Sequence, residues 1–298
     1  MNDNNLSISN HSLPSKEGER RVCIVTGADT GMGLEETRAM AEAGYHVIMA
    51  CYCPVKAAPV CERLKQETGN PDIEVIGIDL ANFASIRAFA DEVKSRFSHL
   101  DRLMNNAGTI ETGRHITVDG IERTVSVNYV GPYLLTRLLL PLMGRGSRIV
   151  NMSSLVFPWG SLDFPDFFER GRKGVFLRIP IYDNTKLAIT LFTFDLAERL
   201  KDKGITVNAA DPGVVSTNII RMQKWFDPIT DLIFRPIIRT PRQGADTAIH
   251  LLLDEDKATQ TGTFNRSNHI KPVRDKFTHH RKMKQLWDET EKIVKPFL

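Results

Sequence analysis

Tyr182 and Lys186 stand four residues apart in the stretch Tyr182-Asp183-Asn184-Thr185-Lys186. On a helix that spacing puts both side chains on one face, one turn apart. A phenol ordinarily ionises near pH ~10, too high for a base at neutral pH. A neighbouring ammonium favours the phenolate, and a proton carrier works best when its pKa approaches the working pH. The pair is therefore predicted to exchange a proton with a bound oxygen. Such spacings also arise by chance, so the reading needs companions. Ser154 is one: it follows the apolar run Arg148–Met152, and its hydroxyl can donate to an oxygen on which charge develops. Ser153 is the alternative.

A second constellation lies near the start. Val22 to Val25 is a β-rich run, followed by Thr26-Gly27-Ala28-Asp29-Thr30-Gly31-Met32-Gly33 and a helix-like segment. Gly27 permits a tight turn, while Gly31 and Gly33 let the backbone approach a pyrophosphate and let helix and strand pack closely. The helix N-terminus then offers free N–H groups and partial positive charge to phosphates.

These residues need a scaffold. Short β-rich runs recur at Tyr45–Ala50, Ile73–Ile78, Leu103–Met104, Arg148–Met152, Ile205–Asn208 and Gly262–Phe264. Between them lie helix-length segments with apolar residues three and four apart, such as Ile86, Phe89, Ala90, Val93 and Phe97, or Leu187, Leu191, Phe194 and Leu196. Strand and helix in alternation predict an α/β fold with a doubly wound parallel sheet covered on both faces. No linker or repeat breaks the rhythm, so residues 21–270 read as one dinucleotide-binding catalytic domain. Residues 1–20 form a polar tail, and residues 271–298 a helical extension.

The Thr-Gly-x-x-x-Gly-x-Gly spacing resembles the short-chain dehydrogenase/reductase family in its single-domain branch, over roughly residues 20–270. The phrases His46-Val-Ile-Met-Ala-Cys51 and Arg148-Ile-Val-Asn-Met-Ser-Ser154, and the tail around Thr261-Gly-Thr-Phe-Asn265, look like its retinol-dehydrogenase-like and protochlorophyllide-reductase-like members. That resemblance implies a Rossmann-type sheet and hydride transfer between a nicotinamide and an alcohol or carbonyl carbon. Tyr182 would carry the proton and Lys186 would also bond the nicotinamide ribose. Ser154, the second serine of its pair, would be catalytic, and Asn128 would hold a water linking the lysine to solvent. Asn105, Asn106, Ala107 and Gly108 match the segment lining the adenosine pocket. Asp79, beside Leu80, matches the acid contacting adenine. Pro212, Gly213, Val215 and Thr217 match the turn meeting the carboxamide. Thr30, Met32 and Tyr52 complete the expected coenzyme contacts.

Coenzyme choice is read from the end of the second strand, where a carboxylate would select the ribose hydroxyls of NAD. Here stand Ala50, Cys51 and Tyr52, with no acid, which favours NADP(H) over NAD(H). Relatives carrying this phrase usually have arginine where this chain has Tyr52, and Thr30 is not basic. Lys56 is either a phosphate ligand or a solvated helix residue.

Two long segments follow strand ends. Phe157–Pro180 and Thr217–Arg242 are rich in aromatics, and both are candidates for a substrate wall. They suggest an apolar retinoid-, steroid- or ketone-like substrate, although Phe164, Phe167 and Phe168 can equally pack their own loop. The alternative function is a catalytically weak nucleotide-binding sensor or scaffold. An epimerase of the larger branch is disfavoured by the glycine spacing.

Composition excludes other classes. The 298 residues carry a formal charge of +3 without a basic cluster, which argues against nucleic acid. Cys23, Cys51, Cys53 and Cys61 have no zinc spacing and read as free thiols in a reducing, cytoplasmic setting. No metal site is expected. The tail lacks the apolar core of a signal peptide, and no apolar run approaches the ~18 residues of a membrane span. His279–Lys295 reads as an amphipathic helix with Met283, Leu286, Trp287 and Ile293 on one side, docked on the core or lying on a membrane. The helices around Thr117–Met143 and Ile181–Arg199 correspond to the family's subunit-pairing elements, which allows a homodimer or homotetramer, while the resemblance to retinol-type members also allows a monomer.

Overall fold

A computed structural model of the chain describes residues 20–164, 166–168, 176–215 and 239–298. The strands are β1 (Val22–Thr26), β2 (His46–Cys51), β3 (Ile73–Gly77), β4 (Arg102–Asn105), β5 (Arg148–Met152), β6 (Thr206–Asp211), β7 (Phe264–Arg266) and β8 (His269–Ile270). They form one sheet in the order β3-β2-β1-β4-β5-β6-β7-β8. Every pairing is parallel except β7 with β8.

The central strands read as near-continuous apolar runs because both faces are covered. Their two-residue period sorts the side chains. Ile24, Ile48 and Leu103 pack with α3 (Phe83–Arg96), α5 (Gly131–Leu139) and α6 (Arg178–Leu200). Cys23, Val25, Val47 and Met49 pack on the other face with α1 (Gly31–Glu42), α2 (Pro54–Thr68) and α7 (Pro241–Leu253). Local chemistry sets the helix ends. A reciprocal Thr240–Gln243 capping box with Pro241 opens α7, and Gly69 in the left-handed region closes α2.

The structure differs from the sequence reading in three places. The helix expected from Thr117 begins at Arg123, because residues 117–120 close a turn through the Gly120 N–H to the Thr117 carbonyl (3.0 Å). It then runs as a short α turn (α4, Arg123–Val125), a π-helical segment (Ser126–Val130) and α5. The last strand is shifted and followed by β8, joined through Ser267 and Asn268, both with positive φ. Two positive-φ residues are what a type I′ hairpin turn demands. β6 extends to Asp211, three residues beyond the expected end.

The C-terminal segment folds back on the core. In α9 (Met283–Val294), which follows α8 (Asp275–Thr278), Leu286 and Val294 are fully covered. Each such burial stabilises by roughly 1.5–3 kcal/mol. Trp287 packs edge-on against Tyr133, with centroids 5.2 Å apart, and lies 6.0 Å from Phe192. Thr290 Oγ1 and the Tyr129 hydroxyl are 2.8 Å apart, and the Tyr133 hydroxyl donates to Glu291 at 2.6 Å. The apolar side of this helix thus faces α5 and α6. Among the described residues no helix is long and apolar enough to cross a membrane.

Candidate active site

The strand order reverses at β1, whose neighbours are β2 and β4. Such a switch point opens a crevice beyond the strand carboxyl ends. Gly27 sits there at φ +64, its N–H donating to the Ala50 carbonyl at 2.9 Å. A Cβ on Gly33 would lie 2.1 Å from the Gly27 carbonyl oxygen, so only glycine lets α1 start this close. Thr30 caps α1 with extended backbone and no side-chain hydrogen bond, and the first turn holds no acid. The leading N–H groups are left for an external anion. Asn106 braces the turn: its Nδ2 donates to the Thr26 carbonyl at 2.9 Å, while the N–H groups of Asn106 and Ala107 both donate to Thr26 Oγ1 at 3.0 Å.

Beside this cradle lies a cavity of about 140 Å3. Gly27, Tyr52, Asp79, Leu80 and Ala107 line it, together with Asp29, Thr109, Arg123 and Val127. Sequence reasoning missed those four. Asp29 was visible inside the turn, but Arg123 and Val127 come from a one-turn helix and a π-helical segment, too short or too irregular to leave a periodic signal. The Arg123 guanidinium stands 5.7 Å from the Tyr52 ring centroid and its Nε donates to Glu111 at 3.1 Å. Lys56 is exposed and is not part of the lining. A larger cavity of about 430 Å3 shares Asp79 and Arg123 and belongs to this end. A glycine-only cradle, an uncapped helix start and an adjoining cavity fit a dinucleotide.

The second cluster is built of ionisable side chains. Tyr182 and Lys186 project from the first turns of α6, and the Lys186 ammonium lies 5.4 Å from the Tyr182 ring centroid. It donates to the Met152 carbonyl at the end of β5 at 2.9 Å. The Ser154 hydroxyl acts on the Tyr182 phenol and pulls its pKa down. Ser153 is buried, its hydroxyl 2.6 Å from that of Thr190, so the second serine faces the site. Asn128, in the π segment, accepts from the Thr109 N–H at 2.8 Å and donates to the Thr109 carbonyl at 2.9 Å and to Thr185 Oγ1 at 3.2 Å. It ties the segment after β4 to α6. Gly108 approaches it closely: a Cβ there would lie 3.5 Å from Asn128 Oδ1.

The turn after β6 closes the site. Gly213 has φ +74 and donates its N–H to Asp211 Oδ1 at 3.0 Å, while the Pro212 carbonyl accepts from Arg239 at 3.4 Å. Val215 is buried against Gly244, where an added Cβ would meet Val215 at 2.6 Å and Met32 Sδ at 2.9 Å. Thr217, and with it Trp225, Phe226 and Phe234, lies outside the described residues. In the earlier loop, Phe167 and Phe168 are buried in the core beside Phe164 and Tyr129. They pack the loop itself.

One expectation is corrected. Lys186 does not make Tyr182 acidic here. Burial raises the phenol to about 12, against the Ser154 hydrogen bond and reinforced by the carboxylates of Asp211 and Asp183. Burial also lowers Lys186 to about 8, opposed by Asp211. Desolvation is the largest cause of both shifts.

Residues 21–163 match the short chain dehydrogenase family. The chain is 36% identical to retinol dehydrogenase 11 of Homo sapiens over 270 residues, covering 90% of this chain and 84% of that protein. It is 33% identical to dehydrogenase/reductase SDR family member 13 of Bos taurus, over 92% of this chain and 73% of that protein. Among solved structures, an uncharacterized protein from Mycobacterium paratuberculosis superposes with TM-score 0.74 at 28% identity, covering 92% of this chain and 93% of its own. An actinorhodin polyketide ketoreductase variant solved with NADPH superposes with TM-score 0.64 at 26% identity, covering 83% and 95%.

Proposed function

The chain belongs to the short-chain dehydrogenase family and is an NAD(P)-dependent oxidoreductase of alcohol and carbonyl groups; on that premise we propose that Tyr182 carries the proton, that Ser154, Lys186 and Asn128 complete the catalytic set, and that the substrate is an apolar ketone, aldehyde or alcohol. The observation that carries this reading is a buried Lys186 ammonium, held by the Met152 carbonyl at the end of β5 and 5.4 Å from the ring centroid of a half-buried Tyr182, with Ser154 just beyond that strand end. The coenzyme, when bound, supplies or accepts the hydride. In reduction Tyr182, protonated at neutral pH, gives its proton to the substrate oxygen, and Ser154 holds that oxygen by a hydrogen bond. Lys186, its ammonium 5.4 Å from the Tyr182 ring centroid, would bond the nicotinamide ribose when the coenzyme is present. In oxidation the phenolate takes the proton back. Asn128 keeps the segment after β4 against α6. The test is Tyr182→Phe: turnover is lost while NADPH binding, followed by fluorescence, persists. Loss of binding with turnover retained would reverse the assignment.

NADP(H) is the preferred coenzyme in this reading. The end of β2 carries no acid and Arg123 brings a cation to the adenosine end, while Asp29 brings an anion to the same cavity. The preference is therefore small. An NAD affinity tenfold tighter than that for NADP would overturn it.

Two further assignments follow. The faces of α5 and α6 expected to pair subunits carry α9, so the chain is assigned as a monomer, to be checked by light scattering. The free, mostly buried cysteines accord with a cytoplasmic location, to be checked by cell fractionation.

A further inference from the structure

Behind Ser154, at the carboxyl ends of β5, β6 and β7, lies a third cavity of about 260 Å3. Its apolar wall is a trio of rings. Phe157 lies 4.9 Å from Phe264 and 5.2 Å from Phe277, centroid to centroid. The rest of the lining includes three cations, Arg266, Lys271 and Arg274. Lys271 and Arg274 are exposed, and neither forms an ion pair among the described residues.

Asp211 forms the inner end. It is fully buried, and the Gly213 N–H holds its Oδ1 at 3.0 Å. Its Oδ2 receives no hydrogen bond, with Arg266 Nε standing 3.5 Å away. A buried carboxylate oxygen without a donor is costly, and at a cavity wall it is a ready acceptor for a ligand's O–H or N–H. The cavity lies next to the strand ends that carry Ser154: Met152 pairs with Ala210, and the Ser153 N–H donates to the Ala210 carbonyl at 2.8 Å, which sets Asp211 beside the Ser154 turn. Leu155, next to Ser154, lines it, and the Asp211 charge reaches both Tyr182 and Lys186. Three cations against one acid make the lumen a site for an anion. The rings suit an apolar body.

We propose that this cavity seats the carboxylate-bearing end of the substrate, an apolar ketone or alcohol whose anionic tail is held by Arg266, Lys271 and Arg274 while its reacting oxygen lies at Ser154 and Tyr182. This rests on the oxidoreductase reading of the Tyr182 site. The test uses 4-benzoylbutyrate and its methyl ester, the same ketone with and without the charge. The KM of the acid is at least tenfold below that of the ester. The double variant Lys271→Ala/Arg274→Ala raises the KM of the acid at least ten times more than that of the ester. Calorimetric titration of the acid into Tyr182→Phe with NADPH present shows the same loss when both cations are removed. Equal use of acid and ester, or equal damage to both, overturns the proposal. If neither ketone is turned over, the Tyr182 reading fails for these substrates and calorimetry still decides. Acid binding that depends on Lys271 and Arg274 upholds the cavity, and no acid binding overturns it.

Discussion

The two ends of the crevice are made of different materials. The nucleotide end is backbone: Gly27 and Gly33 pressed against a carbonyl, a helix start with no cap, and an asparagine bracing the turn. The chemical end is made of ionisable side chains, with Asp211 acting on both Tyr182 and Lys186. The first excludes atoms and the second regulates protons. Adding a methyl group should therefore break one end, and removing a hydroxyl or charge should break the other, with little cross-talk.

The largest expected effect is at the chemical end. Tyr182→Phe lowers kcat by about 10²–10⁴, the range for losing a general acid, with the NADPH dissociation constant unchanged within twofold. Gly33→Ala is the mirror experiment. Its Cβ meets the Gly27 carbonyl at 2.1 Å, so the turn must shift, at a cost of about 1–3 kcal/mol as for other overpacked sites. NADPH affinity falls about tenfold or more, while the Tyr182–Ser154 geometry and far-UV circular dichroism stay near wild type. A Gly33→Ala protein that binds NADPH normally would remove the steric account of this end.

The third prediction sharpens the electrostatic end. Reduction needs a protonated Tyr182 and a charged Lys186. With Lys186 lowered to about 8 and Tyr182 raised to about 12, kcat/KM for reduction declines above about pH 8, whereas oxidation, which needs the phenolate, improves as pH rises. The Asp211 carboxylate raises both groups, so Asp211→Asn moves the reduction limb to lower pH. An unmoved limb would show that the Asp211 field does not reach the lysine in the working enzyme.

The difference between the ends also explains what the sequence disclosed. The glycine turn was legible because its steric needs are local: Gly27 and Gly31 are dictated by their positive φ and Gly33 by the Gly27 carbonyl six residues earlier. Tyr182, Lys186 and Ser154 were legible as a set because helix spacing and a strand end place them. The direction of the Tyr182 shift was not. It depends on burial and on where the ammonium points, and both are decided by α6 packing onto β5. Asp211 was passed over because its partners, Gly213, Arg266 and the active-site pair, come from separate strands and loops. The π segment that aims Asn128, and the hairpin through Ser267 and Asn268, left no periodic trace.

The smallest effect concerns a buried charge that serves neither end. Glu36 lies on α1, fully covered, and neither carboxylate oxygen has a hydrogen-bond partner. Burial raises it to about 8. The unfolded chain releases this proton near its ordinary pKa of ~4.3, so between there and about 8 the folded state binds more protons than the unfolded one. Stability therefore falls as pH rises through that window and levels off above it. Glu36→Gln keeps the shape and removes the ionisation. The variant should lose most of the decline in melting temperature between pH 5 and pH 8, gaining a few degrees over wild type at pH 8, where about 1 kcal/mol corresponds to ~2–4 °C for a chain of this size. Activity at pH 7 should change less than twofold. An identical pH slope in the two proteins would mean that Glu36 finds a partner or water in solution, and that α1 carries no penalty for holding an acid behind the glycine turn.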